Sequence, residues 1–140
     1  MAKIRKRLEH ARHNDKAFRH FDKNPDFLDW VITIAFYSSL HYVKYQLFPL
    51  DEVLANNSKK RHNTFDDYCR YHKNKKLSKH ELILDLVISN LPEISFEYNQ
   101  LKDMCWTARY YEYQADRTMS NLAKSHQTAI KNHCEDLSIK

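Results

Sequence analysis

Residues 30–48 read WVITIAFYSSLHYVKYQLF, a stretch almost wholly apolar and nearly as long as a membrane span, yet holding His41 and Lys44. At 100° per residue its apolar side chains fall into two stripes. Trp30, Ile34, Tyr37, His41, Tyr45 and Phe48 form the first; Ile32, Phe36, Leu40, Val43 and Leu47 form the second. The remaining side carries Ala35, Ser38, Ser39 and Gln46, small enough for a neighbouring helix to approach. A helix apolar over most of its circumference is enclosed either by lipid or by other helices. Lys44, His41, two serines, the terminal Pro49 and the lack of a second such segment argue against lipid. The stretch is therefore expected to be the central helix, residues 25–48, of an all-α up-and-down bundle of about five helices, with residues 1–140 as one domain.

Glycine is absent and proline occurs three times. The lack of glycine excludes the phosphate-binding loops built on it, both the P-loop and the dinucleotide fingerprint. It also sends turns of positive φ to Asn or Asp, and disfavours hairpins. Cys69, Cys105 and Cys134 are odd in number and unpaired in spacing, which points to a reducing cytoplasm rather than a disulfide framework. The N-terminal MAKIRKRLEH has no signal-type apolar run after it, so a cytoplasmic location is expected.

Local cues place the other helices. Ile4, Leu8, Ala11 and Phe18 give residues 3–22 an amphipathic period, and Asn24 before Pro25 is an N-cap for the central helix. Residues 49–62 read as a polar connection, followed by a short helix around 63–72 and the basic loop KNKKL. Ser78 and Glu81 make a capping box before Leu82, Ile83, Leu86 and Val87. Asn90 and Glu93 suggest a second box around Pro92, opening a helix with Ile94, Tyr98, Leu101, Cys105 and Ala108 buried. Asp116 is expected to cap a last helix to about 136, with Met119, Leu122, Ala123, Ala129 and Ile130 inward. No run alternates as a strand should.

Charge is unevenly spread. Residues 1–23 hold eight Lys/Arg against three acids, 59–79 hold eight against two, and the rest of the chain is net negative although the whole is +5. Clustered cations of this kind suit a polyanion. Lys59, Lys60, Arg61, Lys73, Lys75 and Lys76 are the candidate contacts in the second cluster.

Catalytic signals are sparse. A metal site needs three or four convergent ligands; His10 with His13, or His126 with His133, shares a helical face without a third ligand, so neither metal nor cofactor is expected. The cysteines and Ser38 and Ser39 carry no cue to an activated nucleophile. The Arg–His pairs Arg5…His10 and Arg7…His13 are no more than chance supplies. His41, inside an aromatic stripe, needs a partner, because an unpaired buried imidazole costs about 1–3 kcal/mol. Two arrangements satisfy it: a bond to a Tyr, Ser or carbonyl on another helix, or a place in the wall of a cleft with Tyr37 and the segment ARYYEYQ, 108–114. There Arg109 stands beside Tyr110, Tyr111 and Tyr113, a set suited to phosphate contact and base stacking; the alternative for Arg109 is an interhelical ion pair, for instance with Glu97 or Asp103.

Three segments together resemble the HEPN family of small helical domains: DWVITIAFYSSLHYVKYQLF (29–48), like that family's aromatic-rich core helix with a small-x-x-His element, the basic KKRHN (59–63), and LKDMCWTARYY (101–111) before a final amphipathic helix. The resemblance implies an up-and-down bundle, often homodimeric, in a family associated with RNA or nucleotide binding. Some members are ribonucleases of toxin and defence systems, and some accompany a nucleotidyltransferase. The cutting members are similar in an Arg and a His four to six residues apart on a late helix. Arg109 stands in about that place, but residues 110–117 contain no histidine.

The leading expectation is a non-catalytic domain binding RNA or nucleotide through the 59–79 segment and a cleft of Arg109, Tyr110, Tyr111 and Tyr37. The alternatives are a metal-independent ribonuclease using Arg109 with His41 or His62, and an interaction module for an acidic protein. A nucleotidyltransferase or antitoxin-like partner and a homodimer follow from the resemblance; no membrane association is expected.

Overall fold

The computed structural model describes residues 2–111 and 114–138, so Tyr113 lies outside the described residues, as do the side chains of Ile4 and Arg5. Six α-helices and one hairpin follow in order: α1 Ala2–Phe21, α2 Leu28–Leu47, β1 Leu50–Val53, β2 Lys59–His62, α3 Phe65–Tyr71, α4 Lys79–Asn90, α5 Ser95–Tyr110 and α6 Arg117–Ser138. This is the all-α bundle expected, and its six helices are those that the local cues place. No helix among the described residues is long and apolar enough to cross a membrane.

The four long helices alternate in direction. Phe18 of α1 packs by Leu28 and Val31 of α2 while Ala11 and Asp15 meet Ser38, so α1 and α2 are antiparallel. Asp29 meets Arg109 at one end of the α2–α5 contact and Phe36 meets Tyr98 further along, again antiparallel. Gln100 bonds His126, and Glu93 approaches His133, which reverses α6 against α5.

α2 is the hub, and its small side is the innermost. Ala35, Ser38 and Ser39 are fully buried, whereas Trp30 and Tyr37 of the aromatic stripe remain 42% exposed. Val31, Ile32, Thr33, Ile34 and Val43 make α2 rich in β-branched residues, each up to about 0.7 kcal/mol worse than Ala as a helix former. Burial of Val31, Ile32, Phe36, Val43 and Leu47, worth about 1.5–3 kcal/mol apiece, outweighs that preference. A polar knot binds the helices at the centre. The carboxylate of Asp15, 4% exposed, accepts from Ser38 Oγ at 2.8 Å, from Tyr42 OH at 2.6 Å and from Gln127 Nε2, with Lys131 Nζ 3.4 Å away.

Several local expectations hold. Ser78 and Glu81 form the capping box, at 3.1 and 2.7 Å, and Asp116 accepts from the Met119 amide at 2.8 Å. The core faces of α4 and α5 are the residues expected. Other expectations are corrected. Asn24 caps a 3-10 turn, Pro25–Phe27, ahead of α2. The Asn90 amide donates back to Leu86 O, and α5 starts at Ser95 without a side-chain cap. Leu122 is exposed, and Ser120, His126 and Gln127 are buried on α6 instead. The connection at 49–62 is a hairpin, with Leu50 opposite His62 and Asp51 opposite Arg61. Positive φ falls on Asn57 of its loop, as expected, and also on Lys76.

Candidate functional site

One flank of α2 borders two cavities. Tyr37, His41 and Lys44 lie at i, i+4 and i+7, on a common face. Tyr37 lines the first cavity and Lys44 the second. Seven residues separate them, about 10 Å along the helix axis.

The first cavity, about 420 Å³, is walled by Tyr37 of α2, His80 at the start of α4, and Lys102, Trp106, Arg109 and Tyr110 of α5. The structure thus brings together Tyr37, Arg109 and Tyr110, as the cleft expectation required, while His41 is not among the lining residues. The Trp106 and Tyr110 rings meet at a tilt of 49° with centroids 4.5 Å apart, and both are more than half exposed. Tyr111 is 79% exposed. Arg109 is anchored: its Nη2 donates to Asp29 Oδ2 at 2.9 Å, and its guanidinium lies 3.9 Å over the Trp30 ring. The ion pair expected with Glu97 or Asp103 is therefore made with Asp29, on α2. The Nε of Arg109 is buried without a hydrogen-bond partner among the described residues. Burial lowers the pKa of His80, and Lys102 and Lys44 lower it further, which favours the neutral ring.

The second cavity, about 220 Å³, lies between α1, the end of α2 and the start of α3. Lys6, Arg7, His10 and Lys44 line it together with Asn63 and Thr64, and no carboxylate does among the described residues. Arg7 Nη1 donates to His41 Nδ1 at 3.3 Å, and the His10 ring stacks on His41 at 3.8 Å. Crowded cations disfavour further protonation. His41 is pushed down to about 3, by burial first and then by His10, Arg7 and Lys44. Lys44 is lowered to about 8 by burial and Arg7, against an opposing pull from Asp66. His10 is lowered too, by burial and then by Arg7, His13 and Lys44.

The remaining candidates lie elsewhere. His41 meets Arg7 rather than the Tyr, Ser or carbonyl expected, and His62 meets Glu52; neither forms a hydrogen bond or ring contact with Arg109 among the described residues. Lys59, Lys60 and Arg61 are exposed on β2, Arg61 within 3.3 Å of Asp51 and Lys60 Nζ 5.9 Å over the Tyr71 ring. Lys73 and Lys75 sit in a 3-10 turn after α3, and Lys76 follows it, all exposed. Burial raises the thiols of Cys105 and Cys134, to about 11 and about 12, which keeps both as protonated thiols at neutral pH.

Two groupings escaped the sequence reading. The cationic cavity joins Arg7 to Lys44 across elements far apart in the chain. Glu52, His62 and His72 converge with their ligand-type atoms within 4.8 Å of one another, a grouping separate from the two histidine pairs weighed in the sequence. Their spacing of ten and ten residues has no helical or strand period to reveal it.

Comparison with protein-family models, with curated proteins and with solved structures found no match for the chain.

Proposed function

We propose that this protein binds RNA or a nucleotide without cleaving it, holding phosphate in the Lys6–Arg7–Lys44 cavity and a base against Tyr37, Trp106 and Tyr110. The supporting observation is the pairing of a cationic cavity, with no carboxylate among its described lining residues, with an aromatic one on the same flank of α2. Phosphate needs clustered positive charge, and an unpaired base offers a π-face to any aromatic ring. Lys59, Lys60, Lys73, Lys75 and Lys76 extend the positive surface without base readout. A homodimer, which the sequence resemblance implies, is tested by sedimentation at two protein concentrations. The family reading as HEPN-like, with its nucleotidyltransferase or antitoxin-like partner, rests on the sequence resemblance.

Filter binding of a labelled single-stranded RNA decides the main reading. The expected result is retention at low salt that falls steeply as salt rises, and that weakens in both Lys44→Gln and Trp106→Ala. No retention at low salt, or retention equal in all three proteins, rejects it.

A ribonuclease reading has one observation in its favour: His80 and Arg109 line the same cavity. A neutral imidazole can accept a proton while a guanidinium clamps the phosphate. Cleavage of labelled RNA in the presence of chelator, lost in His80→Ala, would establish it; an intact RNA ends it.

A further inference from the structure

We propose that Glu52, His62 and His72 bind a divalent transition-metal ion of the zinc type. The three come from different elements: Glu52 from β1, His62 from the end of β2, and His72 from the residue after α3. Nε2 of His62 lies 2.9 Å from Glu52 Oε1, and Nε2 of His72 lies 2.8 and 2.9 Å from the two carboxylate oxygens. Tetrahedral ligands at about 2.0–2.2 Å from zinc stand roughly 3.3 Å from one another. All the ligand-type atoms lie within 4.8 Å of one another, so side-chain shifts of about 1 Å would bring them to that spacing around an ion.

The donor set selects the metal class. Two imidazoles and one carboxylate suit Zn²⁺ and its neighbours, whereas Ca²⁺ and Mg²⁺ prefer oxygen alone. The rings are held in place before any ion arrives. His62 is 1% exposed, with Tyr68 and Tyr71 ring centroids 5.1 and 5.3 Å from its own, and His72 lies 4.4 Å from Tyr68. Preorganised imidazoles bind with less loss of side-chain freedom. His62 also lines a cavity of about 410 Å³ beside Lys60, Asn63 and Tyr71, and a water or an anion would complete the set as fourth ligand. Bound there, the metal would cross-link both strands of a hairpin with four-residue arms to α3.

A carboxylate that only accepts hydrogen bonds from two imidazoles would take up no metal, and titration separates the two cases. The full chain, treated with chelator and dialysed, is titrated with Zn²⁺ by calorimetry and with Co²⁺ by visible absorption. The expected result is saturable binding of one equivalent, a Co²⁺ spectrum of low coordination number, and a melting temperature raised by Zn²⁺. His72→Ala and Glu52→Gln should each weaken binding by more than the roughly 10- to 100-fold that second-shell changes cost. Glu52→Gln keeps a hydrogen-bond acceptor beside the rings, and circular dichroism checks that both variants remain folded. Absence of saturable binding overturns the proposal, as does affinity unchanged in both variants, which would assign the ion to other histidines of the chain.

Discussion

Arg7 Nη1 points at Nδ1 of His41 across 3.3 Å, joining α1 to α2 at the edge of the cationic cavity. A guanidinium only donates, so Nδ1 holds a lone pair and the imidazole is neutral with its proton on Nε2. Burial, then His10, Arg7 and Lys44, lower its pKa from 6.5 to about 3. Between those values the unfolded chain binds a proton that the folded chain refuses. Stability is therefore intact above about pH 6.5 and is lost as pH falls toward 3, by up to about 1.4 kcal/mol per unit from this residue. Urea midpoints measured from about pH 7 to pH 5, above most carboxylate titration, should drop for the wild type and drop less for His41→Leu. Lowered pKa values at His10, His80 and His126 leave a residual slope of the same sign. Equal slopes in the two proteins would refute the assignment.

Asp15 is the buried centre of the bundle, and its neighbours set an order of severity. Asp15→Ala strands the Tyr42 hydroxyl, removes an acceptor from Gln127 and leaves Lys131 without this partner, while Ser38 keeps the Ala11 carbonyl. Breaking a buried charged network from one side costs about 3–5 kcal/mol. Tyr42→Phe removes one bond to a charged acceptor, about 1.5–3 kcal/mol, and keeps the ring in the core. Chemical denaturation should rank Asp15→Ala below Tyr42→Phe and both below wild type; a mild Asp15→Ala would mean the carboxylate is not the organising group.

Cues within one turn of helix were legible in the sequence, and contacts across the chain were not. Ser78 with Glu81 and Asp116 with Met119 are readable because cap and amide lie three residues apart. α2 announced itself as the hub because no single face of it could be left wet. The hairpin was hidden: its strands have four residues each, and the exposed Lys59, Lys60 and Arg61 read as loop. The cleft was half legible, since Tyr37 and Arg109 both stood out while His80, which lines the same cavity from α4, had no cue beyond its place inside the capping box. Arg109 finding Asp29, and Arg7 finding His41, depend on how helices dock, which spacing along the chain does not encode.

The Arg109–Asp29 contact makes Arg109 a poor residue for testing binding. Asp29 is 7% exposed, so Arg109→Ala leaves a buried carboxylate uncompensated. The expected loss lies toward the lower end of about 3–5 kcal/mol, because the guanidinium is itself partly exposed. Adding Asp29→Asn to Arg109→Ala should recover part of the melting temperature; no recovery would show that the pair contributes little. Trp106→Ala and Tyr110→Ala, at exposed positions, should leave stability within about 0.5 kcal/mol. Each should weaken RNA binding by about 1–3 kcal/mol if it stacks a base, and fluorescence anisotropy with a short oligonucleotide reads the difference.

Lys44 gives RNA binding a pH signature. Its pKa is lowered to about 8 by burial and by Arg7, with Lys79 adding and Asp66 and Cys69 opposing. A phosphate beside it favours the charged form, so the complex holds the proton more tightly than the free protein. Affinity is accordingly full below about pH 8 and falls as pH rises through it, up to about tenfold per unit, until the complex also loses the proton. An oligo(A) probe suits the measurement, because its bases do not titrate in this range. Lys44→Gln should flatten the decline above pH 8 and reduce the slope of log affinity against log salt by about one, the share of a single phosphate contact. A decline equally steep in the variant would remove Lys44, and with it the cationic cavity, from the binding surface.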